Sequence, residues 1–247
     1  MDLSPKAAQA RTAGGQLSLR EISCSVELLP LLRLRQLVYS HQGYLDASSR
    51  RIDVDCYDRH SRFVGAYYQD GQGIEEMIGG VRLILAEGEP NGAALDELLA
   101  QERHPVPDPR KRAYAAQEQM DFDEVVSWSR ESGRQLVEFG RLVIHPDWQK
   151  SKFGPHLVYA IYGLALINGI DLGLALIPSR LLGFYARCGC RLLERLGSIH
   201  YMKHEVVPIA VDLRALGDGQ REAVSAAEAM RNSGSWTVPL HDRQASA

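Results

Sequence analysis

The chain of 247 residues carries a formal net charge of -3, from 28 Lys and Arg residues and 31 Asp and Glu residues. This length suits one large domain with a buried core, and the scattered basic residues argue against a nucleic-acid partner. No apolar run reaches the roughly 18 residues of a transmembrane helix, so no membrane-spanning segment is predicted. The first residues lack the apolar core of a secretory signal, and a cytoplasmic location is expected.

The four cysteines are Cys24, Cys56, Cys188 and Cys190, and they form no C-x-x-C pair. The histidines show no zinc-ligand spacing either. We therefore expect buried free thiols, no metal site and no permanently bound cofactor.

The N-terminal part predicts a disordered segment over 1–19, because small and polar residues dominate there without a period. Strand-like alternation follows at 21–26, and a helix is expected to begin at Pro30, since a first helical position needs no N–H group. Two strand patterns at 63–68 and 77–85 flank an Asp-Gly-Gln-Gly turn and predict an antiparallel hairpin.

A polar, proline-containing stretch over 87–135 interrupts these patterns. Short helices are predicted at 93–102 and 115–132. A long insertion of this kind is often a substrate-facing element rather than part of the core.

The most informative unit is a buried strand at 137–144, a loop at 149–154, a buried helix at 155–168 and a second buried strand at 170–177. This order implies a βαβ crossover with two parallel strands. The remaining elements expected are a short helix at 180–187, strands at 199–204 and 206–213, and a helix at 216–231. The domain is accordingly placed at 20–213, with a C-terminal helix and tail at 214–247.

The loop between this strand and helix has the setting of an anion site. Unpaired N–H groups and the positive dipole end of a helix attract phosphate. An ordinary connecting loop has the same appearance, so the signal alone is weak.

The segment Phe184-Tyr185-Ala186-Arg187-Cys188-Gly189 resembles the F-Y-x-x-x-G-F stretch of GNAT acyltransferases. The resemblance implies an α/β fold of the GNAT type, with a mixed central sheet flanked by helices. It also implies that Tyr185 lies by the sulfur of a thioester, where its phenol can protonate or hydrogen-bond the leaving thiolate. A core aromatic residue is the alternative interpretation.

The resemblance further implies that the acyl donor contacts the strand and the loop after it. The donor-binding residues expected are Leu142, Val143, Ile144, Gln149, Lys150, Lys152 and Gly154. Lys152 replaces the first glycine of the family loop Q/R-x-x-G-x-G/A, and its side chain impedes close approach to the pyrophosphate of coenzyme A. The departure favours the phosphopantetheine thioester of an acyl carrier protein, with acyl-CoA as the alternative co-substrate.

The order of several polar motifs resembles acyl-homoserine-lactone synthases and the related bacterial N-acyl amino acid synthases, over about residues 25–212. Those families show an acidic E-x-D-x-x-D stretch, an arginine on the next strand and a later E-x-S-R motif. The positions that match here are Asp53, Asp55, Asp58, Arg82, Glu138 and Arg141.

Glu138 is the candidate general base. It lies in a strand that the sequence predicts to be buried, and burial raises the pKa of a carboxyl group, so that it can accept a proton from an ammonium. A salt bridge with Arg141 or Arg82 is the alternative role. A β-bulge at Gly140 is expected, because Glu138 and Arg141 would otherwise point to opposite faces.

Two further groups are candidates for binding the acceptor. Asp55 and Asp58 can hold its amine or orient Arg82, although a solvated acidic turn is an equal alternative. Arg35 can clamp a carboxylate in a bidentate fork, or simply be a surface arginine of its helix.

Two departures separate the chain from the lactone synthases. Residues 40–45 contain no tryptophan, and Val137 precedes Glu138 where a tryptophan is usual. The ending at 206–213 looks more like N-acyl amino acid synthases, so a small amine, preferably an amino acid, is the expected acceptor. A lactone synthase, an acetyl-CoA-dependent acetyltransferase and an inactive ligand-binding module remain as alternatives.

Overall fold

The computed structural model describes residues 15–45, 51–201 and 203–238. In these ranges the strands are β1 Gln16–Ile22, β2 Ser61–Gln69, β3 Glu75–Leu85, β4 Leu136–Ile144, β5 Leu172–Pro178, β6 Arg191–Leu192, β7 Ile199–Tyr201, β8 His204–Asp212 and β9 Ser235–Val238. The α-helices there are α1 Ser25–Gln42, α2 Gly92–Gln101, α3 Asp123–Glu131, α4 Gly154–Ile167, α5 Leu182–Arg187 and α6 Gly219–Ser233. No helix within the described ranges combines the length and the apolar character needed to cross a membrane.

The strands form one mixed sheet in the order β6-β8-β5-β4-β3-β2-β1-β9, with β7 paired to β8. The β4–α4–β5 unit lies in the interior of this sheet, and β4 and β5 are parallel, as the sequence predicts. All other strand pairs are antiparallel. The predicted α/β architecture, a mixed central sheet flanked by helices, is therefore confirmed.

Side-chain alternation along the strands builds a core on each face of the sheet. On β2, Phe63 packs into the cluster formed with α1 and α2, while its neighbour Val64 packs into the cluster formed with α4 and α6. Because α4 is buried on most of its surface, it anchors one side of the central strands.

Both terminal segments contribute more to the sheet than the sequence patterns indicate. Residues 16–19 are expected to be disordered but belong to β1, where Leu17 and Leu19 are fully buried. In the segment after residue 213, α6 packs on α4 and β9 pairs with β1. The rest of the predicted disordered segment, 1–14, and of the predicted tail, 239–247, lies outside the described residues.

Two predicted helices have different limits. Helix α1 begins at Ser25, and Pro30 lies inside it; the proline leaves the carbonyl of Val26 without its helical donor, but Val26 is 79% exposed, so water can replace that bond. The helix expected at 115–132 is divided into a 3₁₀ turn, Ala115–Glu118, and α3. Only the turn reaches the site described next.

Candidate active site

A β-bulge interrupts the pairing of β3 with β4 at the centre of the sheet. Gly80 pairs with Val143 and Arg82 pairs with Gly140, so Arg141 and Leu142 together oppose a single residue of β3. Arg141 adopts a φ of 54°, a left-handed conformation that few non-glycine residues accept. The bulge was expected at Gly140 and lies one residue later, at Arg141. As expected, it brings Glu138 and Arg141 to the same side, since both line one cavity.

This cavity of about 670 Å³ lies where β4 and β5 part. The two strands pair only between 136–138 and 172–174, and in the described structure no strand covers β4 beyond Glu138 on that side. The peptide groups of this open edge are therefore available to a ligand. Six of the apolar side chains that line the cavity are Phe139, Val158, Ile161, Ala175, Ile177 and Ile209.

An ion network of three arginines and three aspartates supports the polar end of the cavity. Asp58 accepts hydrogen bonds from Arg35 Nη1 and Arg82 Nη1, both at 2.7 Å. Asp55 accepts from Arg82 Nη1 at 2.6 Å and from Arg141 Nη2 at 3.0 Å. Asp53 accepts from Arg35 Nε at 3.0 Å and completes the network.

Half of the six network residues line the cavity, and the other half lie behind them. Arg35 and Asp58 are fully buried and do not line the cavity. Arg35 was expected to clamp a substrate carboxylate, but it pairs with two aspartates of the protein instead. Asp55, Arg82 and Arg141 do line it. Burial opposes ionisation of Asp55, but the neighbouring Arg82 and Arg141 outweigh it and hold the pKa of Asp55 well below its ordinary value.

Glu138 has the electrostatics of a general base. Glu138 is 6% exposed. Burial raises the pKa of its carboxyl group to about 7, although the Ala116 amide and Arg82 act to lower it. The Ala116 N–H donates to Glu138 Oε2 at 2.9 Å. The alternative of a salt bridge with Arg82 or Arg141 is not what the structure shows, because both guanidinium groups bind aspartates.

The 3₁₀ turn Ala115–Glu118 adds residues that sequence reasoning did not select. Besides the Ala116 amide, the turn supplies Glu118, which accepts a 2.6 Å hydrogen bond from the Tyr57 hydroxyl. Both residues line the cavity. Burial, and then this carboxylate, raise the pKa of Tyr57, so the phenol remains protonated. The polar composition of the 87–135 insertion does not predict these contacts. The insertion was expected to face the substrate, and the position of this turn agrees with that expectation.

Tyr185 of α5 lines the cavity on the side of β5. Burial raises the pKa of its phenol above the ordinary value, with smaller contributions from Tyr39 and Cys190. The hydroxyl therefore stays protonated and can act as a donor near neutral pH. Cys188 and Cys190 are buried free thiols, as expected, whereas Cys24 is exposed and Cys56 is partly exposed.

The donor-binding residues expected from the sequence divide into two groups. Leu142, Val143, Ile144 and Gln149 line the cavity. The other three, Lys150, Lys152 and Gly154, do not line the cavity. Both lysines are exposed, and Gly154 approaches Ile144 and Phe184 at the start of α4. Lys152 has a φ of 62°, the conformation that favours the glycine of the family loop.

A sheet whose central parallel strands part beside a bulge, with a buried carboxyl group at the point of parting, is the arrangement of a GNAT-type acyltransferase. The family model of the FeeM N-acyl amino acid synthases matches residues 30–212, and the chain belongs to this family. The protein is therefore an acyltransferase.

Solved structures show the same fold. FeeM, an N-acyl amino acid synthase from uncultured soil microbes, has a TM-score of 0.54 at 14% identity, covering 84% of this chain and 96% of FeeM. BjaI, a CoA-dependent acyl-homoserine lactone synthase, has a TM-score of 0.54 at 17% identity, covering 84% and 89%. TofI, solved with an inhibitor and MTA, has a TM-score of 0.52 at 16% identity, covering 85% and 96%. No significant match was found among curated protein sequences.

Proposed function

We propose that the enzyme transfers a medium or long fatty acyl group from acyl carrier protein, or from acyl-CoA, to the amine of an amino acid. One observation carries the proposal: a single cavity joins the buried carboxyl group of Glu138 to a long apolar lining. The first suits deprotonation of an ammonium, and the second suits an acyl chain. Membership of the FeeM family supports an amino acid as the acceptor.

The chemical step assigns complementary roles to two side chains. The Glu138 carboxylate takes a proton from the acceptor's ammonium, since its pKa of about 7 leaves a large ionised fraction near neutral pH. The freed amine attacks the thioester carbonyl carbon. As the C–N bond forms and the C–S bond breaks, the nitrogen loses its second proton to solvent and becomes the amide N–H. Tyr185 donates a hydrogen bond or its proton to the departing thiolate. If Tyr185 gives up its proton, it regains one from solvent.

Asp55 is the second acidic group offered to the acceptor. Its carboxylate stays ionised because Arg82 and Arg141 lower its pKa, and its side chain is 24% exposed. A permanent negative charge beside the base attracts an ammonium without removing its proton. Asp58, by contrast, acts on the substrate only through the arginines that it holds.

The apolar lining favours a chain longer than acetyl. Phe139, Ala175 and Ile209 come from three neighbouring strands and line the same cavity as Glu138. Each methylene group that such a surface removes from water contributes about 0.8 kcal/mol. An acetyl group would leave most of this surface unused, which argues against an acetyl-CoA-dependent enzyme.

Carrier protein is the preferred donor in this proposal. Lys150 and Lys152 lie on the loop before α4, and the contact of Gly154 with Phe184 brings that loop beside α5, which carries the exposed Arg187. Carrier proteins are acidic, so basic residues around the entrance would steer them and position the thioester arm.

Mass spectrometry of lipid extracts from bacteria that overexpress the chain tests the proposal. We expect new N-acyl amino acids, absent from cells that express the Glu138→Gln variant at the same level. An acyl lactone as the new product would contradict the amino acid acceptor, and the absence of any new lipid would contradict fatty acyl transfer.

A further inference from the structure

One of the basic residues that line the cavity has no carboxylate partner among the described residues. Of the arginines and lysines in residues 15–45, 51–201 and 203–238, three line the cavity: Arg82, Arg141 and Arg180. Arg82 and Arg141 belong to the network in which three arginines face three aspartates. Within these ranges Arg180 contacts His204 and forms no ion pair with a carboxylate, so no described residue neutralises its positive charge.

Two side chains from different elements fix the position of Arg180. Its Nη1 lies 3.1 Å from His204 Nδ1, and His204 Nε2 lies 3.2 Å from the carbonyl oxygen of Gln42 at the end of α1. If Nε2–H donates to that carbonyl, Nδ1 is left as an acceptor for the guanidinium. The Tyr44 ring packs on the His204 ring at 4.2 Å between centroids, and Arg180 is a charged neighbour of the Tyr44 hydroxyl.

These contacts place the guanidinium group of Arg180 at the mouth of the cavity. Arg180 lies two residues after Pro178, the last residue of β5, and its side chain is exposed to solvent and also lines the cavity. Gln149, in the loop after β4, lines the same cavity from the other parting strand. A guanidinium has five N–H donors, so among the described residues the bond to His204 leaves other donors available to a ligand.

We propose that Arg180 binds an anionic group of a substrate at the mouth of the cavity, and that His204 and Tyr44 position it for this. The proposal rests on the acyl transfer described above. Both substrates carry such a group, a carboxylate on an amino acid and a phosphate on the pantetheine arm. Planar guanidinium groups bind either of them through paired hydrogen bonds.

Steady-state kinetics of the purified full chain distinguish these two sources. The donor pair is decanoyl-CoA and decanoyl-pantetheine, which lacks the phosphate, and the acceptor pair is the most efficient of the twenty amino acids and its carboxamide. The variants are Arg180→Gln, Arg180→Lys and, as a matched control, Arg195→Gln, which removes an exposed arginine that does not line the cavity.

We expect Arg180→Gln to raise the KM for one anionic substrate at least about tenfold and to leave its uncharged analogue unchanged. A selective loss with the amino acid identifies the carboxylate, and a selective loss with decanoyl-CoA identifies the phosphate. Arg180→Lys should recover part of the loss, and Arg195→Gln should behave as the parent enzyme. Equal effects on charged and uncharged substrates, or no effect, would overturn the proposal.

The outcome remains informative if the proposed function fails. Should no amino acid be acylated, calorimetric titration of the enzyme with decanoyl-CoA and decanoyl-pantetheine measures the phosphate contact directly. Unchanged affinities in Arg180→Gln would then overturn the anion site as well, whereas a loss confined to decanoyl-CoA would retain it.

Discussion

Replacing Glu138 by glutamine should slow the reaction and stabilise the protein at alkaline pH. The carboxyl group has a pKa of about 7 in the folded protein, against about 4.3 in an unfolded chain. Between these values the folded state binds more protons than the unfolded state, so the wild-type free energy of unfolding falls as the pH rises through this window. The glutamine variant has no such group and should not show this decline.

The size of the effect follows from the shift in pKa. The two pKa values differ by roughly 2.7, which corresponds to about 3.7 kcal/mol. From pH 4 to pH 8, the free energy of unfolding of Glu138→Gln should therefore rise by about that amount relative to wild type. The side-chain oxygen of glutamine can still accept from the Ala116 amide, which keeps the local hydrogen bond.

The same substitution that stabilises the protein should lower its turnover. Loss of a general base costs about 10²-fold or more, and the wild-type rate should increase with pH up to about 7 while the variant shows no such rise. Urea unfolding at pH 4, 6 and 8, with product formation measured by mass spectrometry, gives both quantities. Glu228→Gln, an exposed carboxylate on α6, is the control. Equal pH dependence of stability in the variant and wild type would refute the raised pKa, and unchanged turnover would refute the role as base.

Three further changes test other parts of the account. Arg35→Met should lower the free energy of unfolding by about 3–5 kcal/mol in urea titrations, because two buried aspartates lose their shared partner. Ala175→Leu should shift the donor preference to shorter acyl chains, with about a fourfold loss in kcat/KM for each methylene group excluded from the cavity. Charge reversal at Lys150 and Lys152 should weaken the reaction with acyl carrier protein, mainly at low salt, while the matching acyl-CoA reaction stays the same.

Each of these expectations has a clear contrary result. Wild-type stability of Arg35→Met would show that the ion network does not need this guanidinium. An unchanged chain-length profile of Ala175→Leu would place the acyl group elsewhere. Equal efficiency with both donors, insensitive to the lysine substitutions, would contradict the preference for carrier protein.

The central strands could be predicted because their pattern is local. Continuous apolar runs on both sides of a short loop and helix indicate two buried parallel strands, and β4 and β5 have this form. Burial of Glu138 follows directly from its place in such a run. The position of the bulge does not, because the choice between Gly140 and Arg141 depends on the register with β3.

The role of Arg35 was missed although the helix carries a signal for it. Leu28, Leu31, Arg35 and Val38 follow helical spacing and lie on the buried face of α1, whereas Leu37, between the last two, is 48% exposed. An arginine in the middle of an apolar stripe requires buried carboxylates, and the acidic residues after the helix supply them. Recognising this spacing would have favoured an ion pair over a surface arginine.

The contacts of the 3₁₀ turn had no comparable signal. The Ala116 amide meets Glu138 from 22 residues earlier in the chain, and Tyr57 meets Glu118 from 61 residues away. Such contacts depend on how a polar insertion folds back over the sheet. Periodicity within the insertion carries no information about that path.

The most direct test of the account combines purified protein, an acyl carrier protein loaded with a decanoyl thioester and a mixture of ¹⁵N-labelled amino acids. Mass spectrometry of the products and titration of the released thiol measure both halves of the reaction. The account predicts a ¹⁵N-labelled N-decanoyl amino acid formed in equal amount to the free thiol, with both lost in Glu138→Gln. Thiol release without a labelled amide, or an equal yield from the variant, would contradict it.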